Sequence, residues 1–175
     1  TQQAGTYVIT GTVKPTEFLE TPFIEERADP WVIKGDDGYY YFTASYPVRG
    51  DSDPEGYDRV VLRRAKTLEE LATAEEVTIW HQADTDKYFR YIWAPELHKI
   101  NGTWYVFCTA SRSSNNVWDI RPHILGCTKG DKDPMNPNNW EMIGEVQRVP
   151  GDSAFTVFSL DMDYFESNGQ HYLIW

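Results

Sequence analysis

Ala28-Asp29-Pro30-Trp31-Val32, followed by Asp37-Gly38 and Tyr39-Tyr40-Tyr41-Phe42, is the first of three similar stretches in this chain. About 65 residues later come Trp93-Ala94-Pro95-Glu96-Leu97, Asn101-Gly102 and Trp104-Tyr105-Val106-Phe107. At a similar spacing again come Leu160-Asp161-Met162-Asp163-Tyr164-Phe165, Asn168-Gly169 and Tyr172-Leu173-Ile174-Trp175. Each stretch reads as a short strand, a tight Asp-Gly or Asn-Gly turn and an aromatic strand. Recurrence at that period indicates a repeat fold, with the third copy stopping inside its second strand.

Working outward, each full unit holds two further strands. The first unit runs from about Arg27 to Gln82, with strands expected at Pro30 to Lys34, Tyr39 to Ala44, Val60 to Ala65 and Val77 to Trp80. The second runs from about Tyr91 to Arg148, with strands at Glu96 to Lys99, Trp104 to Thr109, His123 to Thr128 and Glu141 to Glu145. Helical periodicity is confined to Thr67 to Ala74, while seven Trp and eleven Tyr sit mostly in strand-like runs. The class is all-β. Four hairpin-linked strands per unit is the blade pattern of a β-propeller, here about two and a half blades. Residues 1–22 form a lead-in, and 23–175 form the propeller part.

The formal charge of −11 has the wrong sign for nucleic acid. No apolar run approaches the roughly 18 residues of a membrane span. Thr1 is not an initiator Met, so the chain is expected to be a processed or excised piece. Cys108 and Cys127 lie in apolar strands and read as buried free thiols.

In a propeller the first strand of each blade runs beside the axis, and its start faces one mouth of the channel. Aligned on the turn glycines, Asp29 precedes Gly38 by nine residues, whereas Ala94 and Asp161 precede Gly102 and Gly169 by eight. Allowing one residue of turn difference, the three positions are equivalent. Two carboxylates and a small residue should therefore converge on one axial pocket. Asp163 competes with Asp161, because strand alternation puts both on one side; the glycine register favours Asp161.

Converging carboxylates among aromatic side chains suit carbohydrate chemistry. An inverting glycosidase needs one carboxylate to activate water and one carboxylic acid to protonate the leaving oxygen. A third carboxylate raises the pKa of that acid by like-charge repulsion.

Here the sequence resembles glycoside hydrolase family 43, the five-bladed propeller glycosidases. The carrying residues are Arg27-Ala28-Asp29-Pro30, Trp93-Ala94-Pro95-Glu96-Leu97 with Asn101-Gly102, and Phe158-Ser159-Leu160-Asp161 with Phe165 and Asn168-Gly169. Tyr57-Asp58-Arg59 with Leu62-Arg63-Arg64-Ala65 is most similar to the α-L-arabinofuranosidase branch. The resemblance implies that Asp29 is the general base and that Asp161 tunes and orients the general acid. It implies aromatic walls at Trp93 and at Tyr46. Its general acid is a glutamate in a later blade, past the segment that ends at Trp175. The implied substrate is an arabinose- or xylose-containing oligo- or polysaccharide, with arabinan or arabinoxylan side chains foremost. β-Xylosidase, endo-arabinanase and a non-catalytic sugar-binding propeller are the alternatives. No organic cofactor is implied, and a calcium ion on the axis of the complete propeller is the one metal the resemblance allows. Secretion suits such an enzyme, and an intracellular role in trimming imported oligosaccharides is the alternative.

Other acidic and polar features read more plainly. Glu96, further down its strand, is expected to be a buried, hydrogen-bonded structural residue and not the acid. Glu166 reads as a solvated hairpin residue. Asp51, Asp53, Glu55 and Gly56 start like a calcium loop, but Leu62 occupies the position where that loop needs Glu, so a solvated acidic loop is expected. His81, His98 and His171 lack paired metal spacing and read as satisfied structure; no metal ligands are assigned. Asn101-Gly102-Thr103 is a hairpin turn before it is a glycosylation signal, and Arg49-Gly50-Asp51 is read as chance. Trp118-Asp119-Ile120-Arg121 lies in a long connection at the rim, where it can touch substrate.

A propeller closes only when its last blade meets its first. A second polypeptide or a C-terminal fragment is therefore expected to complete the ring, and residues 1–175 alone are expected to be unstable and almost inactive.

Overall fold

The computed structural model describes residues 21–47, 56–84 and 90–175. Most of the lead-in, the acidic loop and Arg49-Gly50-Asp51 lie outside the described residues. Among the described residues ten strands form three antiparallel sheets. The first holds β1 (Ala28–Lys34), β2 (Tyr40–Ser45), β3 (Arg59–Ala65) and β4 (Glu76–His81), in chain order. The second holds β5 (Trp93–Ile100), β6 (Thr103–Ser111), β7 (Ile120–Cys127) and β8 (Trp140–Glu145), again in chain order. A two-stranded third sheet pairs β9 (Asp163–Ser167) with β10 (Gln170–Ile174).

All eight strands expected in the two full units are present. Three of them start two or three residues earlier than expected, at Ala28, Trp93 and Ile120. The first two of these early starts each contain a register shift, between Ala28 and Trp31 and between Trp93 and Glu96. Pro30 and Pro95 fall inside these shifts. Proline has no N–H for the ladder, so the strand bulges there and resumes pairing beyond it.

The turn chemistry accounts for the one-residue difference between the repeats. Ile100 pairs with Thr103 and Ser167 with Gln170, so Asn101-Gly102 and Asn168-Gly169 are two-residue loops. Their φ angles are 50° and 79°, and 52° and 72°, the two positive values that a type I′ turn requires. The first blade uses a three-residue loop instead. Gly35 N–H donates to Tyr39 O (2.8 Å), Gly38 N–H donates to Gly35 O (3.1 Å), and Gly38 has φ 80°.

The expected helix at Thr67 to Ala74 is one 3-10 turn over Glu69–Ala72. It carries a reciprocal cap: Thr67 Oγ1 accepts from Glu70 N–H (3.3 Å), and a Glu70 carboxylate oxygen accepts from the amides of Lys66 (3.0 Å) and Thr67 (3.2 Å). Leu71 anchors it in a small core with Phe42, Ala44 and Ala65, against which Phe23 and Ile24 pack.

The main core lies between the first two blades. Tyr41, Val60, Leu62 and Ile79 interlock there with Ile92, Leu97, Val106 and Leu125. Each sheet turns an apolar face to its neighbour, and burying those faces is the principal stabilising term. The Trp31 indole N–H donates to the Leu97 carbonyl (2.9 Å), tying the innermost strands of both blades. Cys108 and Cys127 are buried free thiols, as expected; burial pushes them up to about 12 and about 11. Among the described residues no helix is long and apolar enough to cross a membrane.

Candidate active site

The starts of β1, β5 and the segment before β9 meet at one open cleft of about 250 Å³, lined by Asp29, Pro30, Trp31, Ala94, Glu96 and Asp161. All three residues that the repeat makes equivalent are among them. They also share a backbone state: φ is 50° at Asp29, 43° at Ala94 and 53° at Asp161. Left-handed backbone is uncommon for residues other than glycine and is costly, yet it recurs here once per blade. It falls where each of the three segments reaches the cleft.

Asp161 senses the charge of Asp29. Burial and then the negative charge of Asp29 raise the Asp161 carboxyl above the usual aspartate value. Asp29 is held from behind by Ser45, at the end of β2. The Ser45 hydroxyl donates to Asp29 Oδ2 (2.8 Å) and accepts from the Ala94 N–H (2.8 Å). Ser45 is fully buried, so this link runs from the second blade through the first to the carboxylate.

Asp163, the competitor of Asp161, belongs to a different group. His98 is 7% exposed, and its Nε2 lies 3.3 Å from Glu96 Oε2 and 3.6 Å from Asp163 Oδ1. The imidazole is enclosed by the rings of Trp31 (5.0 Å), Phe107 (5.4 Å) and Tyr164 (5.4 Å), drawn from all three sheets. Burial raises the Glu96 carboxyl, and nearby Asp163 adds to the rise against the opposing pull of His98. Glu96 is thus hydrogen-bonded, as expected for a structural residue, but it also faces the cleft.

Of the two expected aromatic walls, Trp93 adjoins the cleft residue Ala94 and Tyr46 follows Ser45, which holds Asp29; neither is on the lining itself. Tyr46 is 8% exposed, with its ring between the guanidinium groups of Arg27 (4.2 Å) and Arg59 (4.3 Å). Arg59 in turn pairs with buried Asp58 (2.6 Å), which also meets His81 (2.9 Å). Trp93 is half-buried and meets Tyr57 (6.0 Å) and Tyr91 (5.8 Å) edge-on. Its indole N–H is buried without a hydrogen-bond partner among the described residues.

Sequence reasoning did not reach Ser45, the Glu96–His98–Asp163 group or the tyrosines beside Trp93. Only Ser45 left a usable trace. It ends the strand opposite Ala28, so antiparallel register alone sets it beside Asp29. His171 bonds the Tyr164 hydroxyl (2.7 Å) on the third hairpin, and Glu166 is exposed there.

A propeller fragment with paired carboxylates at its axial mouth defines the class of these proteins as the propeller glycosidases. Residues 19–175 match Glycosyl hydrolases family 43, and the chain belongs to that family. It is 40% identical over 166 residues to an extracellular exo-α-(1→5)-L-arabinofuranosidase of Streptomyces avermitilis, covering 95% of this chain and 31% of that protein. It is 40% identical over 161 residues to α-L-arabinofuranosidase B of Pyricularia oryzae, covering 92% of this chain and 29% of that protein. The crystal structure of an α-L-arabinofuranosidase from Lactobacillus brevis superposes with a TM-score of 0.71 at 37% identity, over 87% of this chain and 45% of that one. The chain therefore spans less than half the length of these relatives.

Proposed function

We propose that this chain carries the water-activating side of an inverting α-L-arabinofuranosidase. The reading rests on one observation above all: Asp29 and Asp161 line a single cleft, and the charge of the first raises the carboxyl of the second. Asp29, with one oxygen fixed by Ser45, takes a proton from water as the oxygen attacks the anomeric carbon. In the same step the glycosidic bond breaks, and a glutamic acid supplied from outside residues 1–175 protonates the leaving oxygen. Asp161 lies across the cleft, where its charge holds that acid protonated until the bond breaks. Trp93 and Tyr46 border the sugar pocket. The family names of the relatives support arabinofuranosyl glycans as substrates, and the extracellular relative supports secretion. A second polypeptide or a further segment completes the ring.

A calcium ion, which some members of the family hold on the propeller axis, fits residues of this chain. Glu96, His98 and Asp163 offer ligand atoms within 4.8 Å of one another, and Asp163 Oδ1 is buried without a hydrogen bond. Hard carboxylate oxygens suit such a cation, which when bound would offset the charge these residues add near the cleft.

The test is Asp29→Asn in the complete enzyme, assayed on an aryl α-L-arabinofuranoside with the first-formed anomer read by NMR. Turnover should fall by about 10²- to 10⁴-fold, as for loss of a general base, while sugar binding survives. Retention of the anomeric configuration by the unmutated enzyme, or undiminished turnover by the variant, would refute the reading.

A further inference from the structure

We propose that Trp118 and Phe158 form an aromatic subsite at the rim, which takes the leaving-group side of a neutral pentose chain. The proposal rests on the glycosidase reading above and extends it from the scissile bond to the rest of the substrate.

The two rings stand on the same mouth as the carboxylates. Trp93, beside Ala94, pairs with Thr109; β6 ends at Ser111, and Ser111 pairs with Ile120. The connection between β6 and β7, which holds Trp118, therefore opens at the end of the blade where the cleft lies. Phe158 comes three residues before Asp161 in the chain. Its segment crosses the start of β7, where the Ser159 amide donates to the Ile120 carbonyl (3.4 Å). β5 and β7 are two strand spacings apart, which places the rings about 10 Å outward from the cleft. That is within reach of a short oligosaccharide whose end occupies the cleft.

Both rings are held as well as exposed. Trp118 is 61% exposed and Phe158 50% exposed, with centroids 5.5 Å apart at 60°. The Trp118 amide donates to Asn116 Oδ1 (3.1 Å), and the Asn116 carbonyl accepts from buried Ser111 Oγ (2.8 Å). A platform fixed in advance binds at smaller entropic cost. Beside Trp118, Asp119 pairs with Arg112 (2.6 Å) in a network with Arg121 and Glu145 that balances two positive with two negative groups, which suits an uncharged ligand. The C–H faces of pentose rings match the negative faces of the aromatic rings. Their place on the same mouth as the acidic cleft makes the occupant a glycan chain whose end sits in that cleft.

The experiment compares Trp118→Ala and Phe158→Ala with the parent in the complete enzyme. Two substrates are used: an α-1,5-linked arabino-oligosaccharide and an aryl arabinofuranoside. The ratio of kcat/KM for oligosaccharide over aryl glycoside should fall about fivefold to tenfold in each variant, chiefly through KM. Trp118→Phe should restore most of it. Calorimetry of the oligosaccharide on the Asp29→Asn background separates the two proposals. Weaker binding after loss of Trp118 supports the rim subsite even if the catalytic reading fails. An unchanged ratio and unchanged affinity overturn the subsite. If the melting temperature falls at the same time, the rings pack under further protein; if it does not, they are idle surface.

Discussion

Ser45 donates to Asp29 while accepting from Ala94, so the carboxylate that would activate water is oriented by the backbone of the neighbouring blade. A hydrogen bond to an ionised carboxylate fixes its orientation as well as stabilising the fold. Ser45→Ala removes it and lets the carboxylate turn, so kcat should fall about tenfold with little change in KM. The variant also leaves the Ala94 N–H unpaired, costing about 1–3 kcal/mol of stability. Steady-state kinetics of the parent, Ser45→Ala and Ser45→Thr check this. An unchanged kcat in Ser45→Ala would show that the hydroxyl does not position Asp29.

Asp29→Asn should act on Asp161 as well as on turnover. Burial and the Asp29 charge both raise the Asp161 carboxyl, and the variant removes only the second. Asp161 should titrate lower in the variant, yet stay above an ordinary aspartate. Carbon-detected NMR titration of the Asp161 carboxyl reads this directly. No movement would mean that the two groups do not share a field.

His123 should make the fold acid-sensitive. Burial lowers its pKa from 6.5 to about 4, so it stays neutral in the folded chain. A group whose pKa is depressed by folding adds stability above its unfolded value and loses it as pH falls. The loss should run from about pH 6.5 to about pH 4 and total about 3 kcal/mol at most, at 1.36 kcal/mol per unit. Denaturant midpoints across that range, compared with His123→Gln, provide the measurement. Parallel curves for the two proteins would assign the sensitivity elsewhere.

Two glycines with positive φ should respond differently to alanine. At Gly102 (φ 79°) an added Cβ meets nothing within 4 Å, so only the backbone cost remains, about 1 kcal/mol. At Gly130 (φ 55°) the Cβ would lie 2.2 Å from Asn139 Oδ1. Asn139 is buried and donates to Asp131 Oδ1 (2.6 Å) and to the Asp133 carbonyl (3.1 Å). Gly130→Ala should therefore cost clearly more than Gly102→Ala. Equal unfolding free energies would show that Asn139 gives way freely.

Much of the frame was legible because it is written locally. Turn glycines, Asp-Pro and Ala-Pro pairs and aromatic alternation each act over a few residues, and their recurrence sets the blade count. Placing Asp161 rather than Asp163 in the cleft followed from counting back from Gly169. Strand starts at Ala28 and Trp93 were missed because a bulge before proline looks like loop in a linear pattern. The Glu96–His98–Asp163 group was invisible for a different reason. His98 follows Glu96 by two residues, but Asp163 lies in another blade, and no spacing rule links them. Tyr46 was expected at a sugar wall from its place after β2; its stacking between Arg27 and Arg59 depends on residues 19 positions before and 13 positions after it.

The linear chain by itself determined the repeat, the pairing of each hairpin and the equivalence of positions 29, 94 and 161, since short-range turn geometry and a period of two govern all of these. Only the tertiary structure decided which polar groups lean on those positions. Ser45 meets Ala94, and His98 meets Asp163, because neighbouring sheets bury their apolar faces against one another. The depth of that packing, which no local pattern encodes, brings side chains from separate blades within hydrogen-bonding range.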